Sequence, residues 1–274
     1  MTDCIARLSD RALIRVSGPD AKPFLHNLLT QDVETITPGE VRFGAMLSPP
    51  GRLLFDLFLW GETDAVVLDV ATDRREALIT RLSMYRLRAQ VEITADDRPV
   101  MVSWPGVAGG FMADPRLAAL GGRALGERTT DGDEDDWDAH RLAVGVPDPA
   151  ADGGSDSTYP IEANFDLLNG IDFRKGCFVG QETTSRMKRR GEIRKRMLPI
   201  AFEGPAPAPG TEVLNGELRA GEMLTGRDGG AMALLRLDRL EGTLTADGRA
   251  VTARRPVWMA GSEPPPVAAA TSSD

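Results

Sequence analysis

The order of its apolar runs constrains this chain most. Residues 11–16 alternate, with Ala12, Ile14 and Val16 on one side, and predict a strand that Gly18-Pro19-Asp20 ends. Asp20 is placed to cap a helix with an apolar stripe of Phe24, Leu25, Leu28 and Leu29. Residues 41–47 and 52–60 predict two strands around Ser48-Pro49-Pro50-Gly51, and 65–71 a third. A helix from Thr72 to about Leu87, short strands over 90–93 and 100–104, and a short helix over 114–120 follow. This order is an α+β pattern and lacks the regular strand–helix alternation of a doubly wound sheet. Residues 137–144 predict a helix stopped by Gly145 and Pro147, and 148–158 a mobile loop. After Pro205, Pro207 and Pro209, short strands near 211–214, 232–237 and 251–258 predict a small β-barrel. The Pro/Ala/Ser-rich stretch 261–274 reads as disordered.

Composition narrows the function classes. With 274 residues, 42% of them hydrophobic, the chain has apolar side chains for one large or two to three small domains. A net charge of −9 excludes a generally basic nucleic-acid binder. Two cysteines, Cys4 and Cys177, exclude a disulfide scaffold and a cysteine-rich ligand set. His26 and His140 make no metal spacing, so no metal site is expected. No apolar run is long enough for a transmembrane helix, and no GxGxxG or Walker A sequence occurs. Residues 1–10 carry neither an apolar signal core nor an Arg/Ser-rich presequence, so a cytoplasmic, reducing location is expected. No heptad seam is present, which makes a monomer the expectation.

The charge is uneven. Residues 174–196 hold nine basic residues and two acids, a local +7 that leaves −16 for the rest. Residues 131–138 hold six acids in eight, which reads as a solvated face. The basic block follows the sharpest motif in the chain, Lys175-Gly176-Cys177-Phe178-Val179-Gly180-Gln181-Glu182. A helix is expected to start at Gly180, with Gln181 and Glu182 in its first turn, where an acid complements the positive helix end. Gly176 and Gly180 allow tight turning or close approach to a ligand. Cys177 then has two readings: a thiol activated by the helix end and Lys175, or a small buried hydrophobe.

This motif resembles the signature of the YgfZ-type folate-binding proteins, in the superfamily of the glycine-cleavage aminomethyltransferase. The resemblance extends to the segment from Phe24 to Val33, to that from Ser48 to Asp56, to Tyr85-Arg86-Leu87-Arg88 and to Arg141-Leu142-Ala143-Val144-Gly145-Val146-Pro147. It runs on through the segment from Pro160 to Asn164, and so covers about residues 13–196. It implies a three-domain cloverleaf around a folate channel. Residues 1–47 with 126–196 would form a folate-binding α+β domain, 48–125 an inserted ferredoxin-like α+β domain, 197–260 the barrel and 261–274 a tail. The implied cofactor is tetrahydrofolate or a one-carbon derivative, its anionic tail drawn to the basic rim.

The resemblance also implies roles. Cys177 would be the working thiol and Lys175 would raise its thiolate fraction. Asp56, Asn164, Gly176, Gln181, Glu182 and Arg186 would bind or order the folate site. The transferases carry paired acids where this chain has Phe55-Asp56, and a pterin-anchoring glutamate where it has Ala143. Glycine-cleavage transfer is therefore not expected. The leading expectation is an accessory protein for assembly or repair of iron–sulfur clusters in client enzymes. One motif cysteine is a poor scaffold for a cluster of its own, since clusters take four ligands. Two alternatives stand beside it. One is a folate-dependent one-carbon (aminomethyl) transferase using Asp56, and the other is an RNA-modification partner binding through 186–196.

Overall fold

A computed structural model describes residues 3–152, 156–191 and 193–260. The first sheet has the order β3-β4-β5-β2-β6, built from Val41–Leu47, Leu53–Gly61, Ala65–Ala71, Arg11–Ser17 and Glu92–Asp96. Its central strand β5 is buried throughout and β4 at every residue but Leu54, as their near-continuous apolar runs require. Period-two alternation divides them between two cores. Leu57, Leu59, Val66 and Leu68 pack with helices α1 (Ala21–Leu28) and α2 (Arg75–Arg86). Phe58, Trp60 and Val67 face Trp137, Ile161 and Phe165. A second sheet, order β1-β7-β9-β8, joins Cys4–Leu8, Val100–Trp104, Gly122–Leu125 and Met112–Ala113.

Helix α3 is Glu134–Val144 and α4 is Gln181–Arg190. The closed barrel runs β10-β13-β12-β11-β14-β15. In that order its strands are Lys195–Ala201, Gly230–Arg236, Leu218–Arg227, Glu212–Asn215, Leu244–Ala246 and Arg249–Ala253. Trp258 Nε1 donates to Val144 O at 3.0 Å and ties the barrel to the end of α3. No helix of the described residues is long and apolar enough to cross a membrane.

Several expectations are corrected. The boundary after residue 47 falls inside a hairpin, because β3 pairs with β4 from Val41↔Trp60 to Leu47↔Leu53. Residues 114–120 do not form an α-helix. Asp114 accepts from the Arg116 backbone N–H at 3.0 Å and only Ala118–Leu120 turn, as a 3-10 helix. Asp20 occupies the N-cap position of α1, yet its carboxylate accepts from Gln90 N–H at 2.7 Å rather than capping. The acidic block is more than a solvated face. Asp133 caps α3 by accepting from Asp136 N–H at 2.8 Å, and Glu134, Asp135 and Asp136 meet the positive end of the helix. Gly145 closes that helix at φ 81°, as expected. The stretch 261–274 lies outside the described residues.

The 148–152 part of the expected mobile loop is pinned. Asp152 is buried, accepts from Asp148 N–H at 2.9 Å and from Thr225 N–H at 3.2 Å, and also takes the Thr225 hydroxyl. Burial pushes its carboxyl up to about 6, against the pull of Arg141 and Thr225. The native state therefore holds a proton that the unfolded chain releases between about pH 4 and 6. The contribution of this group to stability is greatest below that window and is lost as pH rises through 6. Asp152→Asn keeps an acceptor for Thr225 without the charge. Relative to wild type, it should gain about 2 kcal/mol between pH 4.5 and 7.5 in urea unfolding; a pH-independent gap would show that the carboxyl titrates normally.

Candidate functional site

Two features compete for function, a loop and a pair of cavities. The loop is the Lys175–Glu182 motif. Lys175 is buried, and its ammonium donates to the carbonyls of His26 in the last turn of α1 and of Leu29 (2.6 Å) and Gln31 (2.9 Å) just after it. Burial pulls its pKa down to about 8, opposed by Asp32, Asp172 and Glu34. Phe178 is buried in the main core, and the Lys175 Nζ lies 5.2 Å from its ring centroid. Between these two anchors Gly176 and Cys177 are exposed. The buried-hydrophobe reading of Cys177 is thereby excluded.

Gly180 then turns the chain into α4 at φ 80°. Its position is tight, because a Cβ there would stand 2.6 Å from Ser48 O and 2.9 Å from Gly51 Cα. The motif thus locks onto the 48–51 turn between β3 and β4. Gln181 is half-buried, whereas Glu182 and Arg186 point outward. Lys175 holds the loop rather than reaching the thiol, since carbonyls take all three of its donor positions.

The smaller cavity, about 260 Å³, is polar. Asp56, Arg11, Arg116, Arg123, Arg141 and Asp148 line it, with Thr225 of the barrel opposite. Arg11 holds Asp56 at 3.0 Å and Asp69 at 2.6 Å; Arg123 holds Asp69 at 2.8 Å and lies 3.7 Å above the Phe58 ring. Burial, Asp148 and Asp69 push the Asp56 carboxyl up against the pull of Arg11. Burial would also raise Asp114, but Arg116 and Arg123 outweigh it and hold that carboxyl below the usual range. The sequence reading missed this network apart from Asp56. Its only local signal is a charge inside an apolar strand, Asp69 within β5 and Arg123 within β9.

The larger groove, about 870 Å³, lies between α3 and the barrel. Leu142, Ala143, Ile200 and Trp258 give it apolar walls, and Arg227 and Arg254 add positive charge. The expected folate residues are not brought together. Asp56 faces the polar cavity and Ala143 the groove, while residues 176–186 line neither. Asn164 is a correction. It is fully buried at φ 63°, donates to Met197 O at 2.8 Å and accepts from Arg196 at 3.0 Å, so it braces the start of the barrel and faces no channel.

The barrel matches the family described as the CAF17 C-terminal beta-barrel domain over residues 194–261. A mouse (Mus musculus) protein described as "Iron-sulfur cluster assembly factor IBA57, mitochondrial" is 33% identical, the match covering 92% of this chain and 84% of the relative. Its human (Homo sapiens) counterpart is 32% identical, with 87% and 79% covered. This chain belongs to the IBA57 family. The crystal structure of glycine cleavage system aminomethyltransferase T from Bartonella henselae matches with a TM-score of 0.75 at 17% identity, covering 93% of this chain and 86% of that one. The IBA57-type chain therefore has the aminomethyltransferase-like fold with a C-terminal β-barrel, as the resemblance implied. The expected cytoplasmic location is overturned, since these IBA57 relatives are described as mitochondrial.

Removing the Lys175 ammonium strands three carbonyls. Lys175→Met should destabilise the chain by about 3 kcal/mol in urea unfolding. It should also free the loop, seen as earlier proteolysis at Gly176–Cys177. Unchanged stability would show that water replaces the ammonium without loss.

Proposed function

We propose that this protein acts in the assembly or repair of iron–sulfur clusters in client enzymes, with Cys177 as its working thiol. One observation carries the reading: Cys177 is exposed on a loop whose neighbours Lys175 and Phe178 are buried anchors. A thiol held this way keeps its position while staying accessible, which suits exchange with a partner better than packing does. The IBA57 relatives, described as iron–sulfur cluster assembly factors, support the reading. So does the motif's likeness to the YgfZ-type signature. A single thiolate is one of the four ligands a cluster takes, so the remaining ligands belong to the client or to another assembly protein.

The same reading includes a folate, and the groove suits it better than the polar cavity. Its volume lies within the roughly 300–1,000 Å³ of small-molecule sites, whereas the polar cavity falls below that range. Leu142, Ile200 and Trp258 offer walls to a flat ring, and Arg227 and Arg254 offer charge to the tail carboxylates. A bound reduced folate would supply one-carbon or reducing chemistry. The chain's own part is to seat the ring and to pair the tail.

Cys177→Ala removes an exposed side chain, so its unfolding free energy should stay within about 0.5 kcal/mol of wild type. Activation of a cluster-dependent client by the variant should fall to background. A variant that unfolds, or one that still activates the client, would remove the thiol from the mechanism. Calorimetric titration with tetrahydrofolate tests the second part. Binding that Cys177→Ala keeps and Arg254→Glu weakens at least tenfold is expected, and absence of binding to wild type would end the folate reading.

A further inference from the structure

Leu87, the residue after α2, has φ 43° and ψ −105°, a backbone conformation left largely to glycine. Its side chain is 89% exposed, and that of Met84, one turn earlier, 68%. Two aliphatic side chains in water, one of them on strained backbone, give the free chain nothing to pack against. Strain of this kind collects where a surface is used.

The charges around them are also unmatched. Among the described residues no carboxylate pairs with Arg81, Arg86 or Arg88. Several exposed arginines elsewhere do find acids, as in Arg7–Glu127, Arg98–Asp96 and Arg219–Glu222. This end of α2 abuts the cysteine loop, because Val179 shares a small pocket with Arg81 and Tyr85. Beyond the loop, α4 exposes Arg186 and Arg190, again without a carboxylate partner among the described residues. The loop that presents Cys177 is bordered by positive charge that no carboxylate of the described residues pairs, in a chain of net charge −9.

We propose that the end of α2, with Met84 and Leu87 as apolar anchors and the arginines of α2 and α4 as its rim, is the docking surface for an acidic protein that meets Cys177. The proposal rests on Cys177 being the working thiol. Charge complementarity selects an anionic occupant, and the aliphatic anchors select a protein pocket over nucleic acid, since neither offers a face on which bases stack.

The test uses the full chain in the cells that make it, with a benzoylphenylalanine photocrosslinker at position 84. A control places the crosslinker at Leu218, exposed at the start of β12. The expected result is one acidic protein crosslinked from position 84 and not from position 218. Purified, that protein should bind the chain with a Kd that Leu87→Gly and the pair Arg86→Glu, Arg88→Glu each raise at least tenfold. The affinity should fall with added salt, and the complex should slow alkylation of Cys177 by iodoacetamide. Leu87→Gly should keep or raise Tm, because glycine takes that backbone freely, so its loss of binding cannot come from misfolding. Crosslinks only to nucleic acid, only to a second copy of this chain or to nothing would overturn the proposal. So would a Leu87→Gly variant that binds like wild type. Cys177→Ala separates the two ideas. If it abolishes client activation while the α2 variants bind normally, the surface fails and the thiol stands. If binding behaves as expected but Cys177→Ala still activates the client, the thiol fails.

Discussion

The carboxylate of Asp69 joins the two N-terminal sheets. It takes Arg11 Nε from the neighbouring strand at 2.6 Å and Arg123 Nη2 from the second sheet at 2.8 Å, with no solvent exposure of its own. Arg123 in turn stacks on Phe58 and comes within 3.7 Å of Asp114, and Arg11 reaches on to Asp56. Each charge is buried, so each depends on the others. Removing one member of such a group leaves an uncompensated ion at a cost of about 3–5 kcal/mol. Apolar contact is non-directional and would let one sheet slide over the other. Guanidinium–carboxylate pairs are directional, and they fix how the second sheet sits on the first. The polar cavity is the space these pairs leave, which is why its walls carry both signs of charge.

The elements that reveal themselves in the sequence are those governed by near neighbours. Strands β4 and β5 stand out as apolar runs, the stop at Gly145 follows from its left-handed backbone, and the start of α4 at Gly180 follows from the glycine before Gln181. What the sequence conceals is set by distant partners. Asp152 looks like part of a loose Gly/Asp loop until Thr225, 73 positions away, binds it. Asp114 looks like a helix start until Arg116 takes its carboxylate on both side chain and backbone. The domain boundary after residue 47 fails for a related reason. Ser48 to Gly51 reads as a break between units, but the turn closes a hairpin within one sheet.

The cysteine loop lies between these cases. Its glycines, its helix start and its basic flank are all local and legible. The exposure of Cys177 is not, because it depends on Lys175 finding three carbonyls near the end of α1, 144 or more positions earlier. Those bonds, the burial of Phe178 and the glycine contact with the 48–51 turn leave the chain no route inward for residues 176 and 177. Exposure here is a consequence of anchoring on both sides.

The same geometry separates two positions that the resemblance to the transferases would bring together. The resemblance implies an acid near the accepting nitrogen and a pterin anchor facing one ligand. In this chain the positions that the resemblance assigns to them, Asp56 on β4 and Ala143 on α3, line different cavities. Asp56 is already held by Arg11 at 3.0 Å, and Ala143 has no acceptor to offer. The groove and the polar cavity share no lining residue, and the exposed Cys177 lines neither. Cys177, exposed between its two buried anchors Lys175 and Phe178, faces outward from both.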